Sequence, residues 1–96
     1  MSAITSDSRL TVVERMKERL AALAPESLDI VDDSARHVGH EGAKGGGGHY
    51  RLVIVSERFS GASRPARHRM VYDALGSMMQ REIHALSIQA IAANEV

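Results

Sequence analysis

The sequence predicts an α+β domain: a three-stranded mixed sheet with helices packed on one face, in the order α-β-β-α-(α)-β. Three observations support this prediction. The chain has 96 residues, enough for one domain. Its N-terminal third carries a helical apolar pattern, and three later runs carry strand patterns, the last two separated by a helical stretch. The predicted domain spans residues 8–92, with short tails at 1–7 and 93–96.

The first helix is predicted from Ser8 to Pro25. Its apolar residues recur at steps of three and four, which marks one buried face of a helix. A hydroxyl of Ser6 or Ser8 is predicted to accept hydrogen bonds from the first-turn amides, and Pro25 ends the helix. The apolar residues are Leu10, Val13, Met16, Leu20 and Leu23.

Two strands are predicted next, Ser27–Asp32 and His49–Ser56, separated by a long connection that contains four consecutive glycines. Because the strands are consecutive, we expect them to pair antiparallel. The second strand contains three successive apolar residues, Val53–Val55, which is typical of a strand covered on both faces. His49 opens this strand beside Tyr50 and is predicted to pack or to cap.

The second helical segment is predicted between Ser63, its N-cap, and Gln80, with Pro65 tolerated in the first turn. Gly76 is expected to divide this segment into two helices. Since a helix joins the second and third strands, a right-handed parallel crossover is expected. In the third strand, Ile83–Ala92, simple alternation puts Ile83, Ala85, Ser87 and Gln89 on one side and His84, Leu86, Ile88 and Ala90 on the other.

The chain contains no cysteine, and this excludes several classes of chemistry. Disulfides, thiol catalysis, thiolate zinc sites and a cluster ligated only by the chain's own cysteines are all ruled out. Any soft-metal chemistry must use histidine or sulfur from another molecule. No carboxylate pair or nucleophile–base arrangement indicates an enzyme. The N-terminus has no secretory pattern and no stretch is long enough to span a membrane, so a cytoplasmic location is expected, with the mitochondrial matrix left open.

Net charge is zero, but positive charge is concentrated in one segment. Residues 51–81 contain six arginines against Glu57 and Asp73, an excess of four positive charges. A solvated helix face explains this excess, and so does a docking surface for an acidic or phosphate-bearing partner.

Four segments, in their order and spacing, resemble the BolA family, and the resemblance covers roughly residues 8–92. It implies a fold similar to the type II KH arrangement. It also implies a non-enzymatic protein that forms a heterodimer with a monothiol glutaredoxin and acts in iron–sulfur cluster handling or iron-linked regulation. The free chain is expected to be a monomer or a weak homodimer. The four segments are DDSARH, HYRLVIVSERFSG, RHRMVY and IHALSIQA.

The resemblance also implies a set of ligands. A [2Fe–2S] cluster would be shared with glutaredoxin and glutathione, which supply sulfur, while histidine supplies nitrogen; the isolated chain is expected to hold no cofactor. The family's C-terminal ligand corresponds to His84 and its loop ligand to His37. The longer, glycine-rich loop of this chain offers His40 as an alternative loop ligand. His68 corresponds to a further hallmark histidine, for which a structural or partner-contact role is expected.

The alternative function left open is DNA binding by a KH-like basic face. In KH domains a glycine-containing loop clamps the nucleic-acid backbone, and here FSGASR precedes the arginine-bearing helix. The loop is not a full GXXG motif, and aromatic residues for base stacking are few. The candidate phosphate contacts are Arg58, Arg64, Arg67 and Arg69.

Overall fold

A computed structural model of the chain describes residues 11–33 and 48–96, and it confirms the predicted α+β fold. Two helices and three strands follow the predicted order. The second helical segment is divided as expected, because α2 is followed by a short 3-10 helix, Gly76–Gln80. The main elements are α1 Val12–Leu20, β1 Ser27–Asp32, β2 Gly48–Ser56, α2 Arg64–Leu75 and β3 Ile83–Ala92.

The sheet has the order β1-β2-β3, with β2 in the centre. Strand β1 pairs antiparallel with β2, and β2 pairs parallel with β3, as their connections predict. Parallel pairing brings the N-terminal ends of β2 and β3 to the same end of the sheet. This arrangement sets the position of the candidate site described below.

Helix α1 begins at Val12, so the predicted start at Ser8 is wrong. Thr11 has an extended backbone and forms a capping box with Glu14. Its Oγ1 accepts a hydrogen bond from the Glu14 amide at 3.1 Å, and the Glu14 carboxylate accepts one from the Thr11 amide at 3.0 Å. Satisfying two free amides in this way stabilises the start of the helix one turn later than predicted. Ser6 and Ser8 lie outside the described residues.

The expectation that β2 is covered on both faces is wrong. Tyr50, Leu52 and Ile54 are buried on the side that carries the helices, whereas Val53 and Val55 are half-buried on the other side. The three consecutive apolar residues therefore alternate between a packed face and an open one. We call the side of the sheet opposite the helices the open face.

The core lies between the helices and the sheet and is mainly aliphatic. Phe59 is its one phenylalanine and is fully buried, and Ser56 is the buried polar residue of the described chain. The Ser56 Oγ donates to the Leu23 carbonyl oxygen at 2.6 Å and accepts from the Arg58 amide at 3.1 Å, so its burial is compensated. The other fully buried large side chains are Met16, Leu20, Leu52, Ile54, Leu75, Met78 and Val71.

Helix α2 is bounded by the residues that the sequence indicates. The Ser63 Oγ accepts a hydrogen bond from the Ala66 amide at 3.3 Å, and Pro65 occupies the first turn. The helix ends at Gly76, whose φ of 59° and ψ of −133° lie in a region that is essentially restricted to glycine. Among the described residues, no helix is both long and apolar enough to cross a membrane.

Candidate functional site

Two imidazole rings lie side by side at one end of the sheet. His49 is the second residue of β2 and is half-buried, and His84 is the second residue of β3 and is exposed. Their ring centroids are 5.2 Å apart, and the ring planes are inclined by 34°. We call these two residues the histidine pair.

A β-bulge in β3 explains how the rings come together. Gly48 pairs with Ile83, but the next residue of β2, His49, pairs with Ala85, so β3 has one extra residue, His84. An extra residue changes which face of the sheet each side chain points to. Ile83 is consequently 2% exposed in the core, while His84 and Ala85 are consecutive and both exposed.

The simple alternation predicted for β3 is therefore wrong at its first two residues, Ile83 and His84. After the bulge, Leu86, Ile88 and Ala90 pack against the core. His84 was predicted to share their side of the strand, but it lies with Ala85 instead. Bulges are rare in parallel pairs and are over-represented next to functional sites, where they redirect a side chain.

The backbone holds the bulge on both sides. The Gly48 amide donates to the Glu82 carbonyl oxygen at 2.8 Å before the bulge, and the β2–β3 ladder continues from Ala85 after it. Because the backbone is held at both ends, the direction of the His84 side chain is limited before any ligand binds.

Two carboxylates, those of Asp33 in the cavity beside His49 and of Glu82 two residues before His84, form ion pairs with arginines. Asp33 Oδ2 lies 2.7 Å from Arg51 Nε, and Glu82 Oε2 lies 2.7 Å from Arg15 Nη2. The hydrogen bond from Arg15 lowers the pKa of Glu82. A cavity of about 320 Å³ adjoins the pair and is lined by Asp33, His49, Tyr50, Arg51, Ala85, Leu86 and Ser87.

The two predicted loop ligands, His37 and His40, lie outside the described residues. The described chain stops at Asp33, whose amide donates to the His49 carbonyl oxygen at 2.7 Å, and resumes at Gly48. The two described residues that border residues 34–47, Asp33 and Gly48, therefore both lie beside the histidine pair.

The predicted partner or nucleic-acid contacts lie in a separate region, around the N-terminal half of α2. Arg58, Arg64 and Arg69 are exposed, and His68 is half-buried. His68 lines a cavity of about 690 Å³ between α2 and β3 together with Arg64, Arg67 and Glu95. The structure does not bring His68 into the histidine pair. Whether these residues contact a partner stays a prediction.

The side chain of Arg67 joins α2 to the C-terminal end of β3. Its guanidinium donates to the carbonyl oxygens of Ala62 and Ala90 at 2.9 and 3.0 Å, and it forms two hydrogen bonds with the Glu95 carboxylate at 2.9 and 2.8 Å. Glu95 also accepts a hydrogen bond from the Ala92 amide at 3.0 Å. Residues Ala93–Glu95, which the sequence places in a tail, thus form a 3-10 turn held against the domain.

Ligand chemistry at the histidine pair is limited by its donors. Within residues 11–33 and 48–96, no group of three or more histidine, cysteine, aspartate or glutamate side chains could hold a metal ion. At the pair the described chain offers two imidazole rings and no thiolate. Imidazole is a ligand suited to late first-row transition metals, and two rings fill fewer than the four positions of a tetrahedral ion.

The fold and the position of the two histidines define a class: a small α+β domain with a three-stranded mixed sheet and two adjacent imidazole rings at one end of that sheet. A family model described as BolA-like protein matches residues 20–95. The chain belongs to the BolA-like family.

Relatives and a solved structure agree with this assignment. The chain is 36% identical over 87 residues to "DNA-binding transcriptional regulator BolA" of Escherichia coli strain K12, covering 90% of this chain and 80% of that protein. It is 40% identical over 88 residues to "SufE-like protein 1, chloroplastic/mitochondrial" of Arabidopsis thaliana, covering 85% of this chain but only 24% of that longer protein. The structure of BolA1 from Arabidopsis thaliana superposes with a TM-score of 0.77 at 37% identity, covering 91% of this chain and 97% of that one.

Proposed function

We infer that this chain is a non-enzymatic adaptor that binds a monothiol glutaredoxin and shares a [2Fe–2S] cluster with it through histidine. The observation that carries the proposal is His84, exposed on a backbone-anchored bulge beside a second imidazole in a chain without cysteine. Family membership supports it, since the resemblance in sequence implies this partner.

The donor chemistry supports a shared rather than a private site. Imidazole can replace thiolate on one iron of a [2Fe–2S] cluster. His84 would supply one nitrogen ligand and a second histidine the other, while sulfur would come from the glutaredoxin thiolate and glutathione. The cluster would add redox and cluster-transfer chemistry that the chain's own side chains lack. The resemblance in sequence implies that this second histidine is His37 or His40.

The chain's own part in such a complex is to orient ligands. The bulge holds the His84 backbone in place, and Arg15 and Arg51 form ion pairs with Glu82 and Asp33. The open side of the site is left for the partner's donors.

Co-expression with a monothiol glutaredoxin tests the proposal. We expect a one-to-one heterodimer whose visible absorption and circular dichroism differ from those of the glutaredoxin homodimer. His84→Ala is expected to abolish that difference or to make the cluster markedly more labile, because the iron loses a nitrogen ligand. Gln89→Ala, an exposed change further along β3, is the matched control. Separate elution of the two proteins, or a variant spectrum identical to the wild-type one, would contradict the proposal.

DNA binding is the second candidate function, favoured by the name of the Escherichia coli relative and by the exposed arginines 58, 64 and 69. Arg67 is less suited to a phosphate, because Glu95 and two carbonyl oxygens already accept its hydrogen bonds.

The salt dependence of DNA affinity tests this candidate. If phosphates are bound, the logarithm of the affinity falls linearly with that of the salt concentration, with a slope of about −0.9 per phosphate. Arg64→Ala is expected to weaken binding and to reduce the slope by about one. An affinity that does not change with salt would exclude this candidate.

A further inference from the structure

One of the arginines predicted to contact phosphate is already occupied by an anion of its own chain. Arg67, in α2, directs Nη1 and Nη2 at the two carboxylate oxygens of Glu95, at 2.9 and 2.8 Å. The edge of a guanidinium that binds a carboxylate at two points in this way matches a phosphate group equally well. Glu95 therefore stands where the phosphate of an external ligand would bind.

The arginine side of this contact is fixed by backbone acceptors as well as by Glu95. Arg67 Nε donates to the Ala62 carbonyl oxygen at 2.9 Å, and Nη1 also donates to that of Ala90 at 3.0 Å. The Arg67 side chain is only 13% exposed. Because these contacts do not involve Glu95, the guanidinium keeps its direction when Glu95 leaves, and the site is formed before a ligand binds.

The glutamate side of the contact can detach without disturbing the core. The Glu95 side chain is 48% exposed, and none of the residues in its turn, Ala93–Glu95, is buried. The carboxylate is otherwise held by the Ala92 amide at 3.0 Å. An ion pair with one partner half in solvent is weak, because water and salt screen it. An external anion can therefore compete with Glu95 for the guanidinium.

The surroundings of Arg67 favour an anion once Glu95 has moved. The cavity of about 690 Å³ between α2 and β3 is also lined by Arg64 and His68, and Glu95 is the one acidic side chain among its described lining residues. Without Glu95, this lining carries two arginines and a histidine with no negative charge to offset them. Such a concentration of positive charge attracts phosphate groups.

We propose that Arg67 is a phosphate-binding residue that Glu95 blocks, so that the turn Ala93–Glu95 is an internal competitor for anions at the cavity between α2 and β3. The external ligand is the phosphodiester backbone of DNA, and that part rests on the second candidate function. Arg67 is available only in the fraction of molecules in which the ion pair is open, and the apparent affinity is reduced by that fraction. The free chain therefore binds DNA more weakly than its arginines allow.

Glu95→Ala in the full chain removes the competitor and tests the proposal. Fluorescence anisotropy with a labelled DNA duplex should show binding that is about two- to fivefold tighter, the range for releasing an exposed ion pair. The slope of the logarithm of affinity against that of salt concentration should steepen by about one, because one more phosphate is bound. Glu18→Ala, on the exposed side of α1, removes the same charge elsewhere and should leave the slope unchanged. Adding Arg67→Gln to Glu95→Ala should cancel both gains, and backbone NMR spectra show that each variant is folded.

Inorganic phosphate separates the site from the DNA function. In a titration followed by the NMR signal of the Arg67 Nε–H group, phosphate should shift the signal in Glu95→Ala and shift it much less in the wild type and in Glu18→Ala. If it does so while no form of the chain binds DNA, the blocked site is supported and the second candidate function fails. If the wild type binds DNA with the expected salt dependence and Glu95→Ala changes neither affinity nor slope, that function stands and the proposal is overturned. An equal response of the wild type and Glu95→Ala to phosphate would also overturn it.

Discussion

Replacing Phe59 with alanine is expected to lower the free energy of unfolding by about 3–5 kcal/mol, the usual range for truncating a buried phenylalanine. Phe59 is fully buried in the core cluster, within the short 3-10 helix Glu57–Phe59 that follows β2. Its loss removes apolar contact area and leaves a cavity that the surrounding side chains fill only partly. Chemical denaturation, followed by circular dichroism, measures the change.

This loss is large relative to the total free energy of unfolding of a small domain. Small domains are stable by only about 5–15 kcal/mol, so the variant is expected to be close to unfolding at physiological temperature. Tyr72→Ala is the matched control, because Tyr72 is 41% exposed and its truncation should cost much less. Phe59→Leu keeps most of the volume and should remain measurable if the alanine variant does not fold. Equal losses for Phe59→Ala and Tyr72→Ala would contradict the placement of Phe59 in the core.

Acidification is expected to destabilise the domain through Glu95. Hydrogen bonds from Arg67, followed by that from the Ala92 amide, lower the pKa of Glu95 from 4.5 to about 2. A carboxyl whose pKa is depressed in the folded state stabilises that state above its unfolded pKa, and the contribution is lost as the pH falls through the folded value. The stabilisation should therefore be complete above pH 4.5 and disappear towards pH 2. Arg64 and His68 line the same cavity as Glu95.

The variant Glu95→Gln isolates this contribution. It should be less stable than the wild type at neutral pH, and thermal unfolding at a series of pH values should show the two converging as the pH approaches 2. Glu82, whose pKa Arg15 also lowers, remains in the variant and keeps part of the acid sensitivity. Glu18→Gln, on the exposed side of α1, is the control and should follow the wild type. A constant difference between Glu95→Gln and the wild type at every pH would contradict the assignment.

Local patterns in the sequence were sufficient to predict most elements. The spacing of apolar residues in α1, the cap and proline of α2 and the glycine at its end are all short-range signals, and the structure agrees with them. The start of α1 was misplaced because several hydroxyls precede the helix. The reciprocal bonds of Thr11 and Glu14 determine which of them is the cap.

Of the two histidines in the candidate site, the sequence analysis predicted only one as a ligand. His84 was identified by family resemblance, whereas His49 was judged structural because it opens a strand beside an aromatic residue. One signal was nevertheless present: both histidines are second residues of strands that pair in parallel, which places them at the same end of the sheet. The ion pair of Arg67 with Glu95 had no comparable signal, since it depends on how the chain after β3 turns back towards α2.

By itself, the sequence determined the order and type of the elements, the mixed pairing of the sheet and the absence of thiolate donors, because these depend on local periodicity, connection length and composition. The tertiary structure decided which way His84 points and which histidine lies beside it. A strand's period of two specifies alternate faces but not where one strand gains an extra residue over its neighbour. The position of the extra residue is set by the pairing of Gly48 with Ile83 and of His49 with Ala85. This pairing is long-range, so no single segment of the sequence contains it.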